Sequence, residues 1–453
     1  MLGHRDGTDL GPAPAPAPAT GPGRPVNRRA LRLAGLFAVL LALCAPVVAV
    51  AVRHNHPLFV LDEFAYADYL YKIDAGHLVV RHGDVSEQAS LRQLACRGYS
   101  PSIWNGRPPC DAAEFDPEVF PNAGVNSADI HPPTYFLVTY AGARALLALG
   151  VSHDLIEAGR LFGAVWMAAG LAALWCLLRL MGANRWAAAC GLALVGGGPM
   201  LLQQWHYLTP DAANVLVGSL VMLAVLWWDR AAPGRGALAV LAGAGAMAMA
   251  FKAPNIVVVL AGALYLVARA VLSRSEGRSA GEYAAAAGAL VGGAALASVT
   301  WLAVRAALAG PGLTRMEQDE RIGSLRPSHI IENVARFITP WDREPSSLYP
   351  LAVLTSYLLV GSLLVALVTL PRRDRRFALA LAAGAVLVAG PLLLVAVNFV
   401  VRGTYTIVEP RYGTTLVPVQ CALAATFWSK RALYAVTALA VAAPIALVLR
   451  LVL

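Results

Sequence analysis

Aspartate and glutamate stand side by side at Asp62 and Glu63, in the stretch FVLDEFAYADYLY, directly after the first long apolar run. They open a polar segment, 53–131, in a sequence otherwise built from apolar runs. A carboxylate in such a place can take a proton from a hydroxyl. Other chemically distinctive residues recur at the edges of apolar runs. His206 and Asp211 lie in QWHYLTPDAAN, Lys252 in FKAPN, and Glu409, Arg411 and Tyr412 in VEPRYGTTLVP. His131 opens HPPTYF, and Glu157 and Arg160 stand near the start of a further run. Arginine and lysine hold phosphate oxygens and stabilise charge developing on a phosphate leaving group. Acids that accept protons, beside cations that hold phosphate and next to lipid, suit transfer of a group from a lipid phosphate to a hydroxyl.

Each residue alone also has a plainer reading. Ionisable side chains at the ends of membrane spans reach the interface at little cost. Arg160 reads most simply in that way, and His131 equally well as a structural hydrogen-bonding group. Lys252 differs, because apolar sequence flanks it on both sides (AMAMAFKAPNIVVV) and leaves it little polar cover.

The elements that must position these residues are membrane helices. The chain has 453 residues, 58% hydrophobic and 14% charged, with a mean hydropathy of +0.60. That balance does not suit a soluble domain, and runs long enough to span a bilayer recur. The net charge of +9 comes from arginine clusters at run ends and gives no case for nucleic-acid binding. The alanine-, glycine- and arginine-heavy usage suits a high-GC bacterial genome. Of six cysteines, Cys44, Cys176, Cys190 and Cys421 lie in apolar runs and read as small buried residues. Cys96 and Cys110 lie in the polar segment and could form a disulfide if that segment is extracytoplasmic. There is no CxxC and no zinc-ligand spacing.

The proline- and alanine-rich first 23 residues read as disordered. Arg24, Arg28, Arg29 and Arg32 then hold the start of the first span, 33–52, in the cytoplasm. Further apolar runs lie near 133–150, 159–179, 186–204, 210–228, 236–252, 254–272, 283–309, 349–370, 377–400, 413–428 and 432–450. The basic connections at 179–185, 229–235, 273–282, 371–376 and 429–431 all fall on the cytoplasmic side only if 133–150 does not cross. We therefore read 133–150, with Arg144 in its middle, as an interfacial or re-entrant helix. The alternative is that it crosses and another weak run does not. The expected fold is an all-α polytopic membrane bundle of about eleven transmembrane helices, with juxtamembrane helices in a large first extracytoplasmic loop. A disordered cytoplasmic N-terminus, 1–32, precedes a catalytic module at 33–272, which includes the loop 53–158, and a second module at 273–453, which includes the loop 310–348. Within the latter loop, PSHIIENVARFI at 327–338 has the pattern of a short amphipathic helix. This topology puts Asp62, Glu63, His131, Arg160, His206, Asp211, Lys252, Glu409, Arg411 and Tyr412 on one face.

At these residues the chain resembles the glycosyltransferase-C superfamily of membrane enzymes that use polyprenyl-phosphate sugars. The matching features run in order along most of the chain. They are Asp62–Glu63 after the first span, HPPTYF at 131–136, Arg160, the Asp of TPD at 211, KAP at 252–254, and the Arg-Tyr of EPRY before Pro418. A subset of bacterial members ends in a GRY…P pattern, and here Pro410 replaces that glycine. The resemblance implies that one of Asp62 and Glu63 is the base, without separating them, and that Asp211 is a second acidic contributor. It implies phosphate binding by Lys252 and Arg411, with His131 and Arg160 as further candidates and Tyr412, Glu409 and His206 as neighbours in the site. Some branches use a divalent ion such as Mg or Mn, for which Asp62, Glu63 and Asp211 could serve, although no diagnostic spacing is present. The implied partners are a polyprenyl-phosphate sugar donor, a cell-envelope glycan, lipid or protein acceptor, and membrane lipid. The implied place is the outer face of a bacterial cytoplasmic membrane, with inversion at the sugar carbon. Two other classes remain open. A transporter or flippase of a lipid-linked or anionic substrate would place polar groups at mid-membrane, where these runs are mostly free of charge. A non-catalytic scaffold would use the polar loop to bind a partner.

Overall fold

The computed structural model describes residues 28–59, 62–100, 104, 106–231, 234, 236–272, 278–308, 326–338, 349–402, 408–428 and 436–437. The N-terminal stretch expected to be disordered, most of 310–348, the connection 429–431 and nearly all of the run 432–450 lie outside them. The protein is an all-α polytopic membrane protein. Its extended structure among the described residues is one parallel pairing of β1 (Leu58–Phe59) with β2 (Tyr99–Ser100) and an isolated Val85–Val125 bridge.

The long apolar helices are α1 (Arg28–His54), α5 (Leu155–Leu180), α8 (Asn214–Arg230), α10 (Ile256–Leu272), α11 (Ala280–Leu308) and α14 (Arg375–Arg402). With the short 3-10 turns that open α8 and α10, these supply the six described stretches long and apolar enough to cross a membrane. Shorter apolar helices are α6 (Arg185–Gly196), α9 (Gly236–Phe251) and much of α13 (Tyr349–Thr369). Helix α5 packs against both α1 and α8, α9 lies along α11, and α10 packs on α14. The amphipathic pattern at 327–338 forms α12 (Pro327–Ile338).

Two expected spans differ in form. The run 186–204 is not one helix: α6 stops at Gly196, and α7 (Pro199–His206) starts after a break at Gly197–Gly198. Pro199 supplies no N–H, and its ring keeps Gly198 out of the helical region, at ψ 123°. Gly163 of α5 lets the end of α7 close in, since a β-carbon there would strike the Trp205 carbonyl. The run 413–428 begins as a 3-10 turn, Pro410–Leu416, before α15 (Val417–Phe427).

The polar segment carries α2 (Glu63–Asp74) and α3 (Gln88–Arg97), with Cys96 and Cys110 joined in a disulfide. Helix α4 (Thr134–Ala148) follows. Its 15 residues rise about 22 Å, short of the roughly 30 Å hydrocarbon core. Its two flanks meet the same helix. His131, before α4, contacts Tyr66, and Arg160, five residues into α5, pairs with Glu63 one turn away on α2. Asp154, the N-cap of α5, pairs with Arg97 at 2.9 Å, and Arg97 also donates to the His56 carbonyl. Helix α4 thus leaves and returns to the same end of the bundle, while Tyr140 and Arg144 bind Asp74 on α2.

The other end of the bundle is marked by a second charged cluster. Asp229, buried at the end of α8, accepts from Tyr265 at 2.6 Å and Tyr283 at 2.8 Å, and lies 3.5 Å from Arg269 and 3.3 Å from Arg375. These contacts, with that of Arg269 to the Arg373 carbonyl, gather residues from the ends of α8, α10, α11 and α14 at one end. Asp211 lies 18 residues earlier than Asp229, about 27 Å along the helix axis.

Candidate active site

Asp62 and Glu63 are adjacent in sequence and opposite in environment. Glu63 is buried and takes two parallel bonds from Arg160, each 2.7 Å. The Phe59 and Leu208 amides donate to its remaining lone pairs at 2.6 and 2.9 Å. Arg160 is equally buried, spends its other N–H groups on the Asn55 and Pro57 carbonyls, and lies over the Tyr207 ring. The Glu63 carboxylate has a donor for each lone pair and Arg160 makes four hydrogen bonds, so this pair fastens α2 and α5 to the end of α1. Asp62 caps α2 from the left-handed region, φ 63° and ψ −8°, and its side chain makes no cap bond. The turn that this backbone makes aims its carboxylate elsewhere, and it stays 29% exposed.

Arg411 meets it there. Its Nη2 lies 2.5 Å from Asp62 Oδ2, and its Nε lies 3.1 Å from Asp211 Oδ2. The Lys252 ammonium holds Asp211 Oδ1 at 2.7 Å and sits 4.6 Å above the Tyr412 ring. Two carboxylates and two cations, from positions 62, 211, 252 and 411, thus form one charge-balanced cluster.

Local sequence explains each placement. Thr209 is the N-cap of the Pro210–Ala213 turn, accepts from the Asp211 N–H and donates its hydroxyl to Asp211 Oδ2 at 3.0 Å. Pro254 ends the α9 direction, Lys252 adopts an extended backbone, and Asn255 caps α9 by donating to the Ala248 carbonyl. Pro410 stands at the first position of its 3-10 turn, where a fixed φ suits the geometry. Gly218 of α8 lets that turn lie close, because a β-carbon would strike the Thr415 carbonyl.

The remaining candidates fall around this cluster. His131 places its Nε2 3.2 Å from the Tyr66 hydroxyl. Arg160 is spent on Glu63 and on two backbone carbonyls, so it is not arranged as a phosphate ligand. His206 bonds its own helix at the Leu202 carbonyl and packs on Tyr207. Burial pushes its imidazole down to about 4, which keeps it neutral. Glu409 caps the 410–416 turn and accepts from the Tyr412 amide through its carbonyl.

Three residues in the cluster lie beyond those the sequence singled out. Asn214 donates to Asp211 Oδ1 at 3.0 Å, Thr414 Oγ1 at 2.7 Å and the Arg411 carbonyl at 3.3 Å. Thr414 also donates to that carbonyl at 2.7 Å. Tyr66 lies between Asp62 and His131. The signals existed: Asn214 follows Asp211 by one turn in PDAAN, and Tyr66 follows Asp62 by four in DEFAY.

A shared divalent ion does not fit here. The Arg411 guanidinium bridges Asp62 and Asp211 where the ion would sit, and no group of three or more His, Cys, Asp or Glu among the described residues could hold one.

Two solved structures are similar to this chain. One is ArnT from Cupriavidus metallidurans bound to undecaprenyl phosphate, with 19% identity and a TM-score of 0.47, covering 88% of this chain and 62% of that one. The other is the same protein in the apo state, with 19% identity and a TM-score of 0.44, covering 89% and 62%. The likeness is distant, and this chain spans less than two thirds of either structure's length. No family model matches the chain, and no curated protein matches it.

Proposed function

We propose that this protein is a membrane glycosyltransferase that moves a sugar from a polyprenyl-phosphate donor to an acceptor on the outer face of the cytoplasmic membrane. The observation that carries this reading is the cluster of Asp62, Asp211, Lys252 and Arg411, brought from four separate segments to one end of the bundle. Asp62 is the proposed base, because it is the carboxylate with exposure and without a saturating set of donors. Arg411 and Lys252 are the proposed phosphate ligands. The cluster is charge-balanced, so a donor phosphate draws Arg411 away from a carboxylate. Asp62 is the one that can yield, since Asp211 is also held by Lys252, Thr209 and Asn214. Binding the phosphate thereby frees the base. The freed carboxylate takes the acceptor proton as the acceptor oxygen attacks the sugar carbon from the side opposite the phosphate, with inversion. Charge that builds on the departing phosphate is met by Arg411 and Lys252.

The test uses folded full-length protein in nanodiscs with polyprenyl-phosphate sugars. Asp62→Asn abolishes transfer, and Lys252→Met raises donor KM and lowers kcat. Full activity in Asp62→Asn overturns the assignment of the base. Substrate flux across proteoliposomes without glycosidic transfer replaces the reading with that of a transporter.

A further inference from the structure

Tyr66 belongs neither to the phosphate-binding cations nor to the Glu63–Arg160 pair, yet its hydroxyl touches two groups that move protons. It lies 3.4 Å from Asp62 Oδ2 and 3.2 Å from His131 Nε2. Asp62 is the N-cap of α2 and Tyr66 stands one turn into the helix, so the two side chains meet at its start. His131 is delivered by the segment before it. Asn126 donates to the Ala65 carbonyl and to Asp68, and its own oxygen accepts from the Ala128 amide, which pins the approach to α2. The His131 ring then packs on Tyr66 with centroids 5.5 Å apart. Tyr66 and His131 are buried, whereas Asp62 is partly exposed. A row of three groups therefore runs from the edge of the site into the protein. A phenol can accept at its oxygen while donating its hydrogen.

We propose that Tyr66 and His131 form a proton relay for Asp62, an inference that rests on the glycosyl-transfer reading. Asp62 takes the acceptor proton as the acceptor O–H bond breaks. It passes that proton to the Tyr66 oxygen while the phenolic hydrogen moves to His131 Nε2. The result is a carboxylate, a neutral phenol and an imidazolium, with no change of oxidation state. The histidine must begin with its hydrogen on Nδ1. Burial, with Asp62 adding to it, holds the Tyr66 phenol well above its ordinary range, so the two transfers at Tyr66 occur together and no phenolate accumulates. The charged and titratable groups facing Tyr66 are Asp62, Arg411, Asp211 and Tyr412. Moving the proton inward restores the Asp62 charge, so that Asp62 can pair with Arg411 again as the phosphate leaves. After release the row runs backwards, and the proton reaches water through the exposed edge of Asp62. Tyr66 and His131 touch no substrate in this scheme and are positioning residues that act through Asp62.

Two measurements on the full-length protein decide it. In transfer assays, Tyr66→Phe and His131→Gln each lower kcat about 100-fold, leave donor KM within about twofold, and change the shape of the pH–rate profile. A loss of kcat with an unchanged profile assigns a merely structural role and overturns the relay, as does unchanged kcat. The second readout needs no turnover. Histidine 15N NMR follows His131, with H131Q identifying its signal. Asp62→Asn shifts the His131 titration midpoint by about one pH unit, and by about half of that or less in the Tyr66→Phe background. An equal shift in both backgrounds overturns the relay whether or not transfer is observed. Coupling through Tyr66 without any transfer would leave the relay standing and remove the glycosyl-transfer reading.

Discussion

Asn at 62 and Gln at 63 are near-isosteric replacements of adjacent acids, and the structure assigns them very different consequences. Glu63 is 1% exposed and receives four donors between 2.6 and 2.9 Å. Glu63→Gln leaves the fully buried Arg160 guanidinium without a counter-charge, and breaking a buried pair from one side costs about 3–5 kcal/mol. The amide also turns an N–H toward a place built for acceptors, which adds about 1 kcal/mol or more. We expect a loss of about 4 kcal/mol, allowing for non-additivity. Asp62→Asn is different. Its carboxylate is 29% exposed, and Arg411 retains Asp211 at 3.1 Å. After solvent screening the loss is about 1 kcal/mol or less. The difference of about 3 kcal/mol is a factor of more than 100 in the folded-to-unfolded ratio. The assay is unfolding in mixed micelles of rising SDS fraction, followed by tryptophan fluorescence. Transfer is then measured on the folded fraction, where Glu63→Gln retains turnover and Asp62→Asn does not. Glu63→Gln combined with Arg160→Met, which removes both charges, recovers part of the lost stability. Equal destabilisation by the two single variants, or a loss below about 1 kcal/mol for Glu63→Gln, refutes the division of labour.

Further outcomes follow from other contacts. Burial pushes the Asp68 carboxyl up to about 6, against the opposing pull of Lys72 and Asn126. The folded state therefore holds that proton more tightly than the unfolded chain, and stability falls as pH rises from about 4 to about 6, by about 3 kcal/mol from this group. Asp68→Asn removes that part of the slope in apparent melting temperature measured from pH 4 to 8. Asn214→Ala cuts the link from Asp211 to Thr414 and the Arg411 carbonyl, and should cost about 1–3 kcal/mol in stability while raising donor KM. An unchanged KM would show that the link does not set Arg411 in place. Replacing Cys96 and Cys110 by serine opens a loop with a sequence separation of 14, worth about 3 kcal/mol, and hydrogen exchange should rise first in α3.

The sequence showed the membrane fold through run length, and it placed the chemistry at one face through the positive-inside rule. That inference depended on demoting 133–150 from a span, and His131 and Arg160, on either side of that stretch, both contact one turn of α2. Asp62 and Glu63 were not separable, because the backbone turn at Asp62 and the distant partners Arg160 and Arg411 decide their roles. The resemblance offered Arg160 and His131 as further phosphate ligands, but the order of motifs along a chain does not say which partner a side chain meets, and Arg160 meets Glu63. The Asp229 cluster escaped notice for a related reason. Asp229 and Arg375 lie in two separate basic connections and Tyr265, Arg269 and Tyr283 in apolar runs, and the junction of four helices exists only in three dimensions.

The left-handed backbone at Asp62 sets two kinds of selection against each other. Glycine occupies that region freely, so Asp62→Gly would relieve up to roughly 1 kcal/mol of strain, which offsets the similar loss of the pair with Arg411. A library ranked by heat resistance alone would let that replacement pass, and the same library ranked by turnover would discard it. Position 62 is therefore a place where a screen for stability can return a well-behaved but inert molecule.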